Sequence, residues 1–183
     1  MLFRSEWSHL LDIIKNGRNP SGNDDDDPEF REPFTYAMHE RSQNFSKPLA
    51  QFITRKPVGI LVDIGGGPGS YSAEILKQDK SARAVLIDRS ASLKIAKKIL
   101  KNSAVIERFD FVSGDLFKVS FGNETDTVLY SNILHIYNES ENLRLFEKIY
   151  KSLKPGGRFI LVDLFLKNNR TEPQDAALFS LTM

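Results

Sequence analysis

The sequence predicts an α/β fold, a mainly parallel sheet sandwiched between layers of helix and preceded by a short helical segment. Three observations predict it. From residue 58 onward, short apolar runs alternate with amphipathic ones. Acids or glycines sit at the ends of several apolar runs. Strands of this kind, separated by amphipathic helices, require a parallel sheet covered on both faces. A length of 183 residues suffices for one such core and at most a small appendage.

Composition sets the outer limits. Hydrophobic residues make up 40% and charged residues 27%, ordinary globular values that argue against wholesale disorder. A formal net charge of +1 leaves no basic excess for a phosphate backbone, so nucleic acid is not an expected partner. The absence of cysteine excludes disulfides, cysteine–zinc sites and thiol nucleophiles, and it fits a reducing compartment. The most apolar run, residues 159–166, is short and interrupted by Asp163, so no membrane span is expected. Arg4, Glu6 and Asp12 interrupt the N-terminal apolar residues, which does not suit a signal peptide. A cytoplasmic protein is the expectation.

The elements follow in order. Residues 2–15 place Phe3, Trp7, Leu10, Leu11 and Ile14 at helical spacing. Residues 16–28, rich in Gly, Asn, Pro and Asp, read as a loop. Its run Asp24-Asp25-Asp26-Asp27 lacks the alternating ligands, central glycine and terminal glutamate of a calcium loop, and reads as a solvated acidic stretch. Residues 29–54 look helical, with Phe30, Phe34, Ala37, Met38 and Phe45 along one side, and Pro48 fits the first turn of a second helix. Residues 58–64 form the first strand, and residues 70–78 a helix that opens from a glycine turn. A second strand at 84–87 ends on Asp88. Ser90 is placed to cap a helix reaching Lys101. Residues 109–112 form a third strand, followed by Gly114-Asp115, and residues 127–131 a fourth. Asn138 and Glu141 have capping-box spacing for a helix whose apolar stripe is Leu143, Phe146, Ile149, Tyr150 and Leu153. Pro155-Gly156-Gly157 stops it, residues 158–166 form a fifth strand, and residues 176–183 begin another helix. The domain division is a helical linker or lid over 1–56 and an α/β core over 57–183.

Ligands of open α/β sheets bind beyond the carboxyl ends of the strands. Asp63, Asp88 and Asp115 each fall at such an end. The turn Val62-Asp63-Ile64-Gly65-Gly66-Gly67-Pro68-Gly69 lets the backbone approach a ligand closely, and the following helix offers its N-terminal amides. A dinucleotide site wants G-x-G-x-x-G, but counting from Gly65 the third position is Ser70. The acid two residues before the first glycine suits an amino group better than a pyrophosphate. Asp88, about 20 residues on, suits a ribose. S-adenosyl-L-methionine (SAM) has both groups and no phosphate.

Together, residues 62–72, Leu86-Ile87-Asp88, Gly114-Asp115-Leu116-Phe117, residues 128–135 and Leu153-Lys154-Pro155-Gly156-Gly157 resemble class I SAM-dependent methyltransferases, with their Rossmann-like fold. More narrowly they resemble the plant-type O-methyltransferases, which include caffeate and hydroxyindole O-methyltransferases and bacterial polyketide-tailoring enzymes. The resemblance implies that Asp63, Gly65, Gly66, Gly67 and Gly69 surround the methionine part of SAM. It places Asp88 on the ribose and Asp115 and Leu116 on the adenine. Tyr137, where many members have tryptophan, stacks on the base. Ser131 joins the cofactor set, although members often carry a basic residue there. His135 becomes the general base that removes the acceptor's hydroxyl proton, yielding S-adenosyl-L-homocysteine as coproduct. Asp163 is its orienter, or else a strand acid that is merely hydrogen-bonded. Phe34 and Met38 line the acceptor cavity, or else simply pack; Phe30 reads as packing. His9 and His39 read as surface or packing residues.

No metal is implied. The expected partner is a small-molecule hydroxyl acceptor, aromatic or polyketide-like. The resemblance also implies truncation at both ends, without a dimerisation domain and without the last strands of the sheet. An uncovered edge would then favour self-association as a homodimer. Three other readings stand beside the O-methyltransferase: a SAM-binding module without chemistry, a nitrogen or carbon methyltransferase, and, most distantly, a nicotinamide oxidoreductase.

Overall fold

The computed structural model describes residues 27–180, together with helical residues 11, 15 and 16. The expected helix over 2–15, most of the loop over 16–28 with Asp24 to Asp26, His9, and the last three residues otherwise lie outside the described residues.

Helix α1 (Pro28–Ile53) starts at Asp27, whose side chain accepts from the Glu29 N–H at 3.0 Å. Strand β1 (Ile60–Ile64) leads through the glycine turn into α2 (Ser70–Gln78). Strand β2 (Arg83–Asp88), helix α3 (Ser90–Leu100) and strand β3 (Phe109–Ser113) follow. Strand β4 (Thr125–Ser131) ends in a single 3-10 turn, Leu134–Ile136. Helix α4 (Glu139–Ser152), strand β5 (Leu153–Val162) and helix α5 (Gln174–Ser180) complete the described fold. The sheet is parallel throughout, in the order β3-β2-β1-β4-β5. The strand order reverses between β1 and β4, where open sheets of this kind leave a crevice for a ligand.

The two faces of the sheet carry two cores. Leu61, Leu86 and Leu129 face α1, α2 and α3, meeting Ile53, Leu76 and Leu93. Val62, Val128 and Tyr130 face the other way, toward Leu145 and Ile149 of α4. This alternation is the period-2 pattern of a strand buried on both sides. The C-terminal half of α1 belongs to the first core through Leu49, Ala50 and Ile53. Arg158 of β5 fastens its end, donating to the carbonyls of Ile53 at 3.0 Å and Pro57 at 2.9 Å. Among the described residues no helix is long and apolar enough to cross a membrane.

Four expectations need correction. Pro48 lies inside α1 and starts no second helix. Pro48 and Asn44 are both exposed, so water can satisfy the carbonyl whose helical partner the proline removes. Ser90 does not cap α3; it is already helical, Arg89 is the cap residue, and no side chain caps that helix. Strand β5 runs Leu153–Val162 rather than 158–166, so Asp163 follows the strand. On α4 the buried stripe is Asn142, Leu145, Ile149 and Ser152, whereas Leu143 is 56% and Tyr150 80% exposed. Two polar residues hold core-facing positions there, so apolar counting misjudged the phase. The Asn138–Glu141 capping box is present, with both bonds at 3.0 Å.

Candidate active site

At the end of β1 the backbone must pass very near its neighbours. A Cβ on Gly66 would collide with the Asp63 carboxyl and Leu86. Gly67 differs: its φ of +52° favours glycine, and a Cβ there would meet nothing within 4 Å. The turn is therefore packed underneath and open above. Gly65 N–H bonds the Ile87 carbonyl at 2.8 Å and Gly69 N–H that of Gly66 at 2.9 Å, bracing the turn as α2 begins.

Asp63 lies beneath this turn, 1% exposed. Ser72, on the first turn of α2, donates its hydroxyl to Oδ2 at 2.5 Å. Oδ1 is buried with no hydrogen-bond partner among the described residues. Burial pushes the Asp63 carboxyl up to about 7; the Ser72 bond opposes this and the nearby Asp88 charge adds to it. Asp88 ends β2, accepting from Gly67 N–H at 2.7 Å through Oδ2 and from Arg89 N–H at 2.6 Å through Oδ1. Burial raises its pKa too, against the backbone donors, the Arg31 charge and a bond from Ser92. Asp115 follows β3. Its Oδ1 accepts from Phe117 N–H at 2.8 Å, and Leu116 beside it is buried. Tyr137 meets Phe117 edge-on with ring centroids 5.2 Å apart, joining the 3-10 turn region to this loop.

His135 sits on the 3-10 turn after β4. The register pairs Ser131 with Val162, so the residues that follow, Asn132 and Asp163, leave the sheet side by side. The His135 Nδ1 lies 2.7 Å from Asp163 Oδ1. Asp163's side chain is 2% exposed and the histidine's 20%. Burial pushes the Asp163 carboxyl up, but bonds from His135 and the Leu164 N–H outweigh it and hold the group below the usual range. An ionised carboxylate has no proton to give, so Nδ1 carries the hydrogen that joins the pair. Asp163 Oδ2, by contrast, is buried without a partner among the described residues.

Helix α1 passes over this end of the sheet. Its position 31 is felt electrostatically by Asp88, His39 Nδ1 lies 2.8 Å from Ser70 Oγ, and Arg41 is felt by Tyr71 of α2. Phe34 and Met38, half-buried, continue the line from Arg31 to Arg41. Phe34 also stacks on Phe30 at 5.7 Å. Phe179 of α5 stands edge-on to His135 at 5.1 Å, with Arg41 over its ring at 4.8 Å. Ser131 is the outlier among the sequence-selected residues. It is 7% exposed, and its hydroxyl accepts from the Asn132 side chain at 3.0 Å.

Sequence reasoning passed over Ser72, Tyr71 and Asn132, and read His39 as surface or packing without its bond to Ser70. Asn132 has a φ of +56°, a conformation asparagine tolerates, and Tyr71 hydrogen-bonds to its side chain. It steers the chain out of β4 into the turn bearing His135. A polar residue between an apolar strand and a candidate histidine was its one visible signal. Ser72 had a clearer one, lying on the first turn after the glycines.

Sheet order, glycine turn and the three strand-end acids define the class: a Rossmann-like methyltransferase domain. The chain belongs to the O-methyltransferase domain family, whose model matches residues 7–183. It is similar to the 3-hydroxy-5-methyl-1-naphthoate 3-O-methyltransferase of Streptomyces sahachiroi, 26% identical, covering 83% of this chain and 44% of that protein. Among solved structures, human N-acetylserotonin methyltransferase in complex with SAM superposes with a TM-score of 0.80 at 25% identity, covering 96% of this chain and 53% of that one. An O-methyltransferase family 2 protein of Planctomyces limnophilus in complex with apigenin gives 0.76 at 28% identity, covering 87% and 50%. The chain thus spans about half the length of the proteins it matches.

The residues present fit SAM. An unpartnered, buried Asp63 oxygen lies under the turn, open space lies over Gly67, and Asp88 stands at the neighbouring strand end.

Proposed function

We propose that this chain is the cofactor-binding and catalytic part of a SAM-dependent O-methyltransferase acting on a hydroxyl of a small aromatic or polyketide-like molecule. The observation that carries the reading is the 2.7 Å contact from His135 Nδ1 to the buried Asp163 carboxylate. The small aromatic molecules named with the relatives, a naphthoate and apigenin, support the substrate class.

SAM, when bound, supplies an activated methyl group and leaves as S-adenosyl-L-homocysteine. The backbone of Gly65, Gly66, Gly67 and Gly69 cradles its methionine portion, with Asp63 beneath for the ammonium. Asp88 accepts from the ribose hydroxyls, while Asp115, Leu116 and Tyr137 meet the adenine; Ser131 supports that set from the end of β4. Phe34 and Met38 wall the acceptor cavity, so that residues 1–56 act as lid and residues 57–183 as core. His135 Nε2 takes the acceptor's hydroxyl proton as the oxygen bonds to the methyl carbon. Asp163 fixes the imidazole and stabilises the imidazolium that forms. Excluding water and aligning the reactants supply much of the remaining acceleration.

Methyl transfer to a panel of phenols tests this reading. His135→Ala should lower kcat by about 10²–10⁴-fold while leaving S-adenosyl-L-homocysteine affinity intact. Undiminished turnover in the variant would remove His135 from the mechanism.

A further inference from the structure

The loop after β3 is fastened to α4 by contacts outside the strand-end site. Lys148 Nζ donates to the Leu116 carbonyl at 2.6 Å and lies 4.3 Å from the centroid of the Phe121 ring. One turn earlier, the Arg144 guanidinium covers Phe117 at 5.0 Å, and Phe117 carries Tyr137 on its edge. At the start of the loop Gly114 N–H donates to the Asp88 carbonyl of β2 at 3.1 Å, and the next polar groups are engaged within the loop. The Asp115 carbonyl accepts from Lys118 and Val119 N–H at 2.9 Å each, and the Asp115 carboxylate takes the Phe117 N–H. Beyond Gly114, the Leu116 carbonyl is the point at which α4 grips the loop's backbone. An ammonium-to-carbonyl bond in a half-buried position is stronger than a neutral one. Burial lowers the Lys148 pKa and the Asp115 charge partly restores it.

We infer that Lys148 is a positioning residue for base recognition: by gripping the Leu116 carbonyl it sets the loop on which Asp115 and Leu116 meet the adenine. The inference rests on the assignment of that loop to the adenine of SAM. Helix α4, which covers one face of the sheet, thereby acquires a second task through Lys148 and Arg144. The Lys148 bond fixes the peptide between Leu116 and Phe117, and the Arg144 and Tyr137 contacts hold the next side chain. Without the bond, Gly114 still ties the start of the loop to Asp88, but Leu116 and the peptide after it lose their tie to α4.

Calorimetry on the full chain tests this, using S-adenosyl-L-homocysteine and its hypoxanthine analogue, which lacks the exocyclic amine. Lys148→Met keeps the stem over Phe121 and removes the donor. It should weaken S-adenosyl-L-homocysteine binding about tenfold and narrow the preference for adenine over hypoxanthine, in a chain that still unfolds cooperatively. Lys148→Arg, which restores a charged donor, should recover most of the affinity and the preference. Unchanged affinity and unchanged base preference in a folded Lys148→Met chain would overturn the inference. So would equal weakening for both ligands. A wild-type chain that binds neither ligand would instead refute the cofactor assignment on which it rests. Should Lys148→Met fail to fold, Lys148→Gln, a shorter neutral donor, gives the same comparison.

Discussion

At the scale of single residues, burial assigns the parts. Asp163 and Asp63 are both buried acids, yet they differ in their donors. Asp163 receives a bond from His135 and one from the Leu164 N–H, and it is held below the usual carboxylate range against the opposing pull of burial. Asp63 receives one hydroxyl bond, and burial prevails, raising its pKa to about 7. The first acid can hold an imidazole in one tautomer; the second is governed by its burial. The sign of the Asp63 effect is testable. A carboxyl raised from 3.8 to about 7 contributes stability that is fully present below about pH 4 and lost as the pH climbs through 7. Asp63→Asn should remove that slope, so the wild-type chain should lose stability relative to the variant between pH 4 and 7 in urea unfolding. Parallel curves for the two proteins would show that Asp63 does not titrate in this way. The acids themselves were legible from sequence, Asp63 and Asp88 at strand ends and Asp163 as the interruption of an apolar run. Their donors were not, because Ser72 and Ser92 reach them only after the helices have packed.

At the scale of elements, the 3-10 turn bearing His135 is held by a neighbouring helix. Asn142 of α4 donates its side-chain amide to the carbonyls of Leu134 at 3.0 Å, Tyr137 at 2.8 Å and Asn138 at 3.1 Å, and accepts from the Tyr130 hydroxyl at 2.8 Å. One buried amide thus ties β4, the turn and α4 together. Asn142→Leu should destabilise the chain by about 2–3 kcal/mol, since it leaves buried carbonyls and a phenol unpaired. It should also cut turnover, since the turn bearing His135 loses its hold; a thermal melt and kinetics at saturating cofactor would show both. Loss of stability without loss of turnover would mean that the turn holds its own shape. This hub explains why the α4 stripe was misjudged from sequence: a core-facing asparagine looks like a surface residue until its partners are known. The first four strands, the helix 70–78 and the capping box were readable because propensity and period agree there. Pro48 and Ser90 were misread for the opposite reason. Each is a good starting residue locally, yet α1 packs continuously against α2 and α3, and α3 starts after an acid bonded to its cap residue.

At the scale of the whole molecule, the proposed cofactor would add a link across strand ends that Gly67 and Gly114 already join to Asp88. Methionine, ribose and adenine would fall at the ends of β1, β2 and β3 in turn, under a helix whose end Arg158 fastens to the core. A ligand that spans three strand ends stabilises the folded chain by mass action, by about 2.7 kcal/mol at a hundredfold excess over Kd. The direct test is calorimetric titration of the folded chain with S-adenosyl-L-homocysteine, beside NAD as the competing nucleotide. The expected result is one site per chain for S-adenosyl-L-homocysteine, at least tenfold weaker after Asp88→Ala, which removes a charged acceptor, and no binding of NAD. A cooperatively folded chain that ignores S-adenosyl-L-homocysteine, or binds NAD as well, would contradict the assignment of the glycine turn to SAM.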